Sequence, residues 1–337
     1  MSVTLSWTEA EHLVRRALTA NRVSEDNARS TANALIAAEA DGQSGHGLVR
    51  VPSYAEQARV GKVDGFAGPA ITGKGAALRV DAGAGFAYPA IDAAIKSLVP
   101  LARELGVASA GIFASHHCGQ AGRHVERLAE QGLVAFICAN TPSAMAFHGG
   151  VKPRLGTDPL AFAAPLPGRA PLVIDMALSV VARSRIVAAK NKGEAIPSGW
   201  ALDAEGGPTT DPAKALAGTL LPVGGAKGAA LALMVEILCG ALAGACFAWE
   251  ASSFMDAKGG PPRLGQFLIA LDPAHFAGEN FLPRMGELVK AVEADGARLP
   301  GDRRLLSRAR AAAEGLHIAA PLHVEISALA GAGKSAP

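Results

Sequence analysis

VASAGIFASHHCGQAGRHVERLAEQGLVAFICA, residues 107–139, reads as four consecutive pieces. Val107 to Phe113 is an apolar run of strand length, and Ser115-His116-His117-Cys118-Gly119-Gln120 is a polar turn. Ala121 to Gln131 has helical spacing, and Leu133 to Ala139 is a second apolar strand. A strand, turn, helix and strand in this order make an α/β unit. The helix start would aim its free N–H groups at the turn, a geometry that suits an anion such as a pyrophosphate.

Just upstream, Leu78 to Asp81 reads as a strand and Tyr88 to Leu105 as a helix, joined by Gly83-Ala84-Gly85-Phe86-Ala87-Tyr88. This is a partial G-x-G-x-x-G in which Tyr88 replaces the third glycine, where a large ring obstructs close helix–strand packing. No acidic residue ends a second strand at the expected distance, so the α/β chain does not carry a Rossmann fingerprint. Farther toward the N-terminus, residues 8–40 have the periodicity of two helices separated by Asn21 and Ser24. Gly42-Gln43-Ser44-Gly45-His46-Gly47 is a turn, and helical spacing resumes over Leu48 to Ala58. Downstream, Pro171 to Ser179 is a second strand-to-helix junction, and 190–215 reads as a long ordered loop. The tail after Val324 is low in complexity; its Gly333-Lys334-Ser335 resembles a P-loop end, but Ala328 stands where the first glycine belongs.

The chain has 337 residues, half of them apolar, with a net charge of +2 and 5% aromatics. That is enough for a large core and offers no basic face for nucleic acid. Cys118, Cys138, Cys239 and Cys246 form no CxxC pair and read as reduced core thiols of a cytoplasmic protein. Ala229 to Trp249 is apolar except for Glu236. With a central Glu and no flanking basic cluster it is a poor membrane anchor, and it reads as a helix buried in a core or a subunit interface.

Several residues have the chemistry of a reactive site. His46 lies in a glycine-flanked turn, and an imidazole exchanges protons near neutral pH. Arg50, four residues on, presents the fork that grips a carboxylate. The same spacing also suits a surface histidine beside a solvated arginine. His116 and His117 with Cys118 and His124 lack the accompanying carboxylate of a helical metal site, which leaves an anion-cradling turn or structural hydrogen bonding. Asp175 ends an apolar strand, either as a ligand contact or as a helix cap. Lys227, among Gly224, Gly225 and Gly228, either approaches a phosphate or sits in a plain turn.

In series, these segments resemble the type-2 malate/L-lactate dehydrogenase family, which includes the Δ1-piperideine-2-carboxylate/Δ1-pyrroline-2-carboxylate reductases. The matching pieces run from Gly45-His46-Gly47-Leu48-Val49-Arg50 with Tyr54, through Ser115 to Gly122, Asn140, and Gly156-Thr157-Asp158-Pro159. They continue with Asp175 to Ser179, Ile196 to Trp200, Thr209 to Pro212, Lys227-Gly228 and Leu299 to Gly301. The resemblance implies a non-Rossmann mixed-sheet α/β fold and a homodimer. In that fold, 1–75 would be a helical segment carrying the His46/Arg50 site and 76–285 the α/β core. Residues 286–325 would form a returning helical segment, and 326–337 a flexible tail.

The resemblance also implies His46 as proton donor, Arg50 on the substrate carboxylate and Thr157 touching the substrate. His116, His117, Cys118, Gly119, Gln120, Asp175, Met176, Ala177, Lys227 and the Arg298, Arg303 and Arg304 stretch would contact NADP or NAD, and no metal is expected. Ser44 is the nearest replacement for the serine that usually precedes the histidine, since Gly45 occupies that place. Asp158 stands for the usual Asn, and Arg185 for an Asp of the imine reductases. The expected activity is NAD(P)H-dependent reduction of a cyclic 2-imino acid. The alternatives are a 2-hydroxy-acid dehydrogenase of the malate or lactate kind and a non-catalytic ligand-binding protein on the same scaffold.

Overall fold

The computed structural model describes residues 2–331. Strand Ser2–Leu5 (β1) precedes helices Trp7–Thr19 (α1) and Glu25–Ala40 (α2). Ser6 and Ser24 cap these helices by accepting from Glu9 N and Asn27 N, so the break expected near Asn21 and Ser24 is a true helix boundary. Two 3₁₀ turns, Ser44–His46 and Leu48–Arg50, lead into Val51–Arg59 (α3). The core then runs through Ala70–Lys74 (β2), Ala77–Asp81 (β3), Ala87–Leu105 (α4), Val107–Ser115 (β4), Ala121–Ala129 (α5) and Val134–Ala139 (β5).

Next come Met145–Ala146 (β6), Pro153–Leu155 (β7), Leu160–Leu166 (β8), Arg169–Met176 (β9) and Arg183–Lys192 (α6). Ala201–Leu202 (β10), Pro208–Thr209 (β11), Pro212–Ala217 (α7), Thr219–Leu220 (β12) and Ala226–Glu236 (α8) follow. The chain closes with Leu264–Leu271 (β13), Phe281–Ala294 (α9), Asp302–Glu314 (α10), Leu316–Ala319 (β14) and Ala320–Gly331 (α11).

The main sheet has the order β2-β3-β4-β13-β5-β8-β9. β3 and β4 are parallel, joined through α4, whereas β13 enters between β4 and β5 antiparallel to both. The 107–139 unit is therefore split: its two strands run the same way but never pair. Ile91 and Leu98 of α4 and Val125 and Leu128 of α5 cover this sheet, packing with Ile112, Ile137 and Leu268.

A second core joins the two ends of the chain. β1 pairs with β14, and Leu18, Leu35, Ile36 and Tyr54 pack with Ile326 of α11. This corrects the flexible tail expected from 326 onward: residues 326–331 are helical, with Ile326 fully buried and Ala330 nearly so. The P-loop-like Gly333 to Ser335 lies outside the described residues. The loop expected over 190–215 is also corrected. It contains the end of α6, the β10–β11 hairpin and α7, whose cap Asp211 accepts from Ala213 N and Lys214 N.

The apolar run 229–249 is not one helix either. α8 ends at Glu236, and a π turn over Ile237–Leu242 breaks it. Among the described residues, no helix is long and apolar enough to cross a membrane.

If α11 is part of the core, Ile326→Ala removes a buried side chain and costs about 2–5 kcal/mol of stability. Chemical denaturation measures this; an unchanged midpoint would return the segment to the status of a tail.

Candidate active site

His46 ends the turn after α2, and His117 lies in the turn after β4. The fold brings them together: His46 Nδ1 is 3.2 Å from His117 Nε2, and the rings stack at 5.2 Å and 19°. His117 Nδ1 is 2.6 Å from the Tyr54 hydroxyl, which lies 3.2 Å from the Tyr88 hydroxyl. Gly119 has φ +68°, and a Cβ there would collide with the Tyr88 hydroxyl, so the turn closes over the ring only with glycine. Four side chains from three distant segments thus form one chain of hydrogen bonds.

Burial sets the charge state of this chain. Burial first, and then the Arg50 charge, hold His46 down to about 4. His117 falls well below the ordinary imidazole range by burial, then Arg50, His46 and His116. Burial pushes the Tyr54 hydroxyl up to about 12 and Tyr88 well above its usual value. At neutral pH the histidines are neutral and the tyrosines keep their protons. The tyrosines therefore orient the imidazoles instead of ionising.

Arg50 Nε donates to Gly45 O at 2.7 Å and Nη1 to Met255 Sδ at 3.1 Å. Among the described residues no carboxylate pairs with its guanidinium. A thioether is a weak acceptor for a cation, so the fork is open to an anion. Met255 belongs to a loop pinned by Lys62, whose Nζ donates to the carbonyls of Ser253, Asp256 and Lys258. In the same loop Phe254 lies 5.1 Å from the rings of both His116 and His117.

Several expectations change. Ser44 is exposed and makes no hydrogen bond to His46, whose Nδ1 meets His117 instead; the imidazole is oriented from the opposite side. The turn 115–120 is buried throughout. The Gly122 N–H at the start of α5 is taken by Asp175 Oδ2 at 2.8 Å, so the helix end expected to receive a pyrophosphate is filled by the chain's own carboxylate. In that turn His116 Nε2 meets Gln57 Oε1 at 2.9 Å, Gln120 donates to Asp41, and Cys118 is a buried thiol pushed up to about 12 by burial and then Asp175. Arg304 is not available to a 2′-phosphate either: its Nη1 lies 2.8 Å from Glu126 and 3.2 Å from Asp41. Arg185 lies exposed on α6.

A second group gathers at the ends of β9 and α8. Leu178 N donates to Thr157 O and Val223 N to Leu178 O, both at 2.8 Å, which aligns Thr157, Asp175 to Ala177 and the turn before Lys227. Met176, Ala177, Gly224, Gly225 and Lys227 are exposed, and α8 begins at Gly225 without a side-chain cap. Free N–H groups and a lysine at a helix start fit a phosphate. Gly301 lies against the Val173 carbonyl, which brings the loop bearing the exposed Arg298 and the start of α10 with the exposed Arg303 beside β9. These residues fit a nicotinamide dinucleotide. Among the described residues no group of three His, Cys, Asp or Glu is placed to hold a metal ion.

Sequence reasoning missed Tyr88 and Lys62 as site residues and gave Tyr54 no role; only their long-range contacts reveal them. Tyr54→Phe removes two links of the chain, to His117 and to Tyr88, and should lower kcat by roughly tenfold or more, as loss of buried hydrogen bonds does. Ser44→Ala should stay within about threefold of the parent, well under the 1.4 kcal/mol of a tenfold change. Steady-state kinetics of both variants check this, and equal losses would restore Ser44 to the site.

The comparisons with known proteins come to the same fold. The profile of the malate/L-lactate dehydrogenase family, Ldh_2, matches residues 5–327. A (2R)-3-sulfolactate dehydrogenase (NADP(+)) of Chromohalobacter salexigens is 51% identical over 305 residues, 90% of this chain and 91% of that one. A Δ1-pyrroline-2-carboxylate/Δ1-piperideine-2-carboxylate reductase of Pseudomonas syringae pv. tomato is 41% identical over 319 residues, 94% of this chain and 93% of that one. The crystal structure of Δ1-piperideine-2-carboxylate reductase from the same organism superimposes with a TM-score of 0.92 at 40% identity, covering 97% of this chain and 99% of that one. The chain belongs to the malate/L-lactate dehydrogenase family of NAD(P)-dependent oxidoreductases.

Proposed function

We propose that the protein is an NADP-dependent dehydrogenase of a small 2-hydroxy acid of the 3-sulfolactate kind, interconverting it with the 2-oxo acid. The observation that carries the reading is the open Arg50 guanidinium beside a neutral His46. Support for the substrate class comes from the relative that is 51% identical. Reduction of a cyclic 2-imino acid is the second reading, favoured by the relatives near 40% identity that carry that name. Both substrates present a carboxylate next to the carbon that exchanges hydride.

Arg50 would hold the substrate carboxylate by its fork. His46, with Nδ1 committed to His117, has Nε2 to meet the oxygen on C2. The bound nicotinamide supplies or accepts the hydride at that carbon. For oxidation, neutral His46 accepts the hydroxyl proton while the hydrogen-bonded chain fixes its tautomer. For reduction His46 must carry a proton. Pairing of the carboxylate with Arg50 cancels the charge that helps to hold His46 low, so substrate binding itself favours the acid form. Asp175 to Ala177 and Lys227 would hold the dinucleotide, with Arg298 or Arg303 on a 2′-phosphate.

A panel of 3-sulfopyruvate, oxaloacetate, pyruvate and Δ1-pyrroline-2-carboxylate with NADPH and NADH tests the reading. Sulfopyruvate with NADPH should give the highest kcat/KM; a higher value for the imino acid would install the second reading, and no turnover would leave a binding protein. Arg50→Lys keeps the charge but loses the bidentate geometry. Disrupting a partly desolvated pair costs about 2–5 kcal/mol, a fall in kcat/KM of roughly 30-fold to over 1000-fold.

We also propose a homodimer. Leu231, Met234, Ile237 and Leu242 are exposed along α8 and the π turn, an apolar face that a second copy would cover. Light scattering should give twice the chain mass, and Ile237→Glu should shift it toward the monomer; a monomeric parent would refute the dimer.

A further inference from the structure

Asp158 is fully buried, with φ +39°, a left-handed conformation that Asp and Asn tolerate. Its Oδ1 accepts from Thr141 N at 3.2 Å, and its Oδ2 has no partner. Glu236, the last residue of α8, is also buried. Its Oε2 accepts from Asn140 Nδ2 and Ala248 N, both at 3.2 Å, and its Oε1 has no partner. The two carboxyls hold adjacent residues, Asp158 the Thr141 N–H and Glu236 the Asn140 side chain, which brings them to the same stretch of the core. A Cβ on Gly156 would collide with the Asp158 carboxyl and with Thr141, which explains the glycine.

Among the described residues no salt bridge offsets them. The other titratable groups facing the pair are the buried thiols of Cys138 and Cys239 and the exposed carboxylate of Glu250. Two neighbouring buried carboxylates cannot both ionise without a large cost. Burial and then the neighbouring Glu236 push Asp158 well above the usual carboxyl range, and burial pushes Glu236 up to about 7. A proton between them removes the repulsion and provides a donor where the unpartnered oxygens have none.

We propose that Asp158 and Glu236 bind one proton jointly and, through Thr141, serve as positioning residues for Thr157. The connection is short. Asp158 holds Thr141, whose hydroxyl accepts from Thr157 N at 2.8 Å and lies 3.3 Å from the Thr157 hydroxyl. Thr157 O in turn receives Leu178 N, at the strand edge assigned to the dinucleotide. An Asn at position 158 would be a permanent donor. Asp158 is a donor only while the shared proton stays, which makes the position of Thr157 dependent on pH. The part concerning Thr157 rests on its assignment to the substrate in the proposed function.

The sign follows from linkage. A carboxyl whose folded value lies above its unfolded value contributes stability that is present below the unfolded value and lost as pH rises through the folded one. The experiment compares wild type with Asp158→Asn and Glu236→Gln, full length, from pH 5 to 9. Relative to Asp158→Asn, the wild-type thermal midpoint should fall by about 2 °C or more across that range. A protonated-carboxyl band in the wild-type infrared spectrum at pH 6 should disappear by pH 9. Neither readout needs a substrate, so failure of the proposed function leaves the shared proton decided. The substrate KM of the wild type should rise above pH 8 by about tenfold with little change in kcat, while that of Asp158→Asn stays level.

Parallel stability curves, or the lack of the infrared band, would overturn the shared proton. A KM that follows the same pH course in wild type and Asp158→Asn would overturn the positioning role. If Asp158→Asn does not fold, Glu236→Gln carries the same comparisons; if neither folds, the infrared band of the wild type decides the proton.

Discussion

A buried ionic clamp holds the site together. Asp41, just past the end of α2, and Glu126 of α5 are both buried, and they meet arginines from two helices. Arg308 donates to Asp41 Oδ1 at 2.7 Å and to Glu126 Oε2 at 2.8 Å. Arg304 pairs with both carboxylates, and Arg123 adds a bond of 2.7 Å to Glu126. Burial works against the Glu126 charge, but Arg308, Arg304 and Arg123 outweigh it and hold the carboxyl down to about 2. Removing one partner of such a cluster strands a buried charge, which typically costs about 3–5 kcal/mol. The clamp spans Asp41, five residues before His46, and the first turns of α5, just after His117. It therefore fixes the spacing of the two turns whose histidines touch, and α10 arrives from the C-terminus to complete it.

With those turns fixed, electrostatics follows from burial. The His46, His117, Tyr54 and Tyr88 chain has no charge of its own at neutral pH, and the nearby Arg50 has no carboxylate partner. A neutral base next to an open cation suits an anionic substrate that must gain or lose a proton. The same reasoning separates the two buried carboxylate groups of the molecule. Asp41 and Glu126 are surrounded by arginines, whereas Asp158 and Glu236 face thiols, amides, the Glu250 carboxylate and one another.

The sequence showed this arrangement in part. Local signals were readable: the Ser24 break before α2, the βα junctions, and the His46 and Arg50 spacing all reflect contacts within a few residues. The insertion of β13 between β4 and β5 was not, because residues 264–271 carry no mark of which strands they will pair with. Tyr88 read only as an obstacle to glycine packing, since its partner Tyr54 lies 34 positions away. Arg304 looked like one arginine among three near a cofactor segment; only its two buried carboxylate neighbours show that it is structural. Low complexity after Val324 suggested a tail, but small residues also pack closely against α1. Asp158 read as an added negative charge, and burial beside Glu236 reverses that reading.

The central claim is that Arg50 couples carboxylate binding to protonation of a neutral, half-buried His46. An NMR titration of the histidine side chains, with and without a saturating 2-oxo acid, tests it most directly. In the free protein His46 should remain neutral down to about pH 4. With the carboxylate bound its midpoint should move up, and Arg50→Lys should weaken that response. A His46 that titrates near the ordinary value of about 6.5, unmoved by the ligand, would contradict the account.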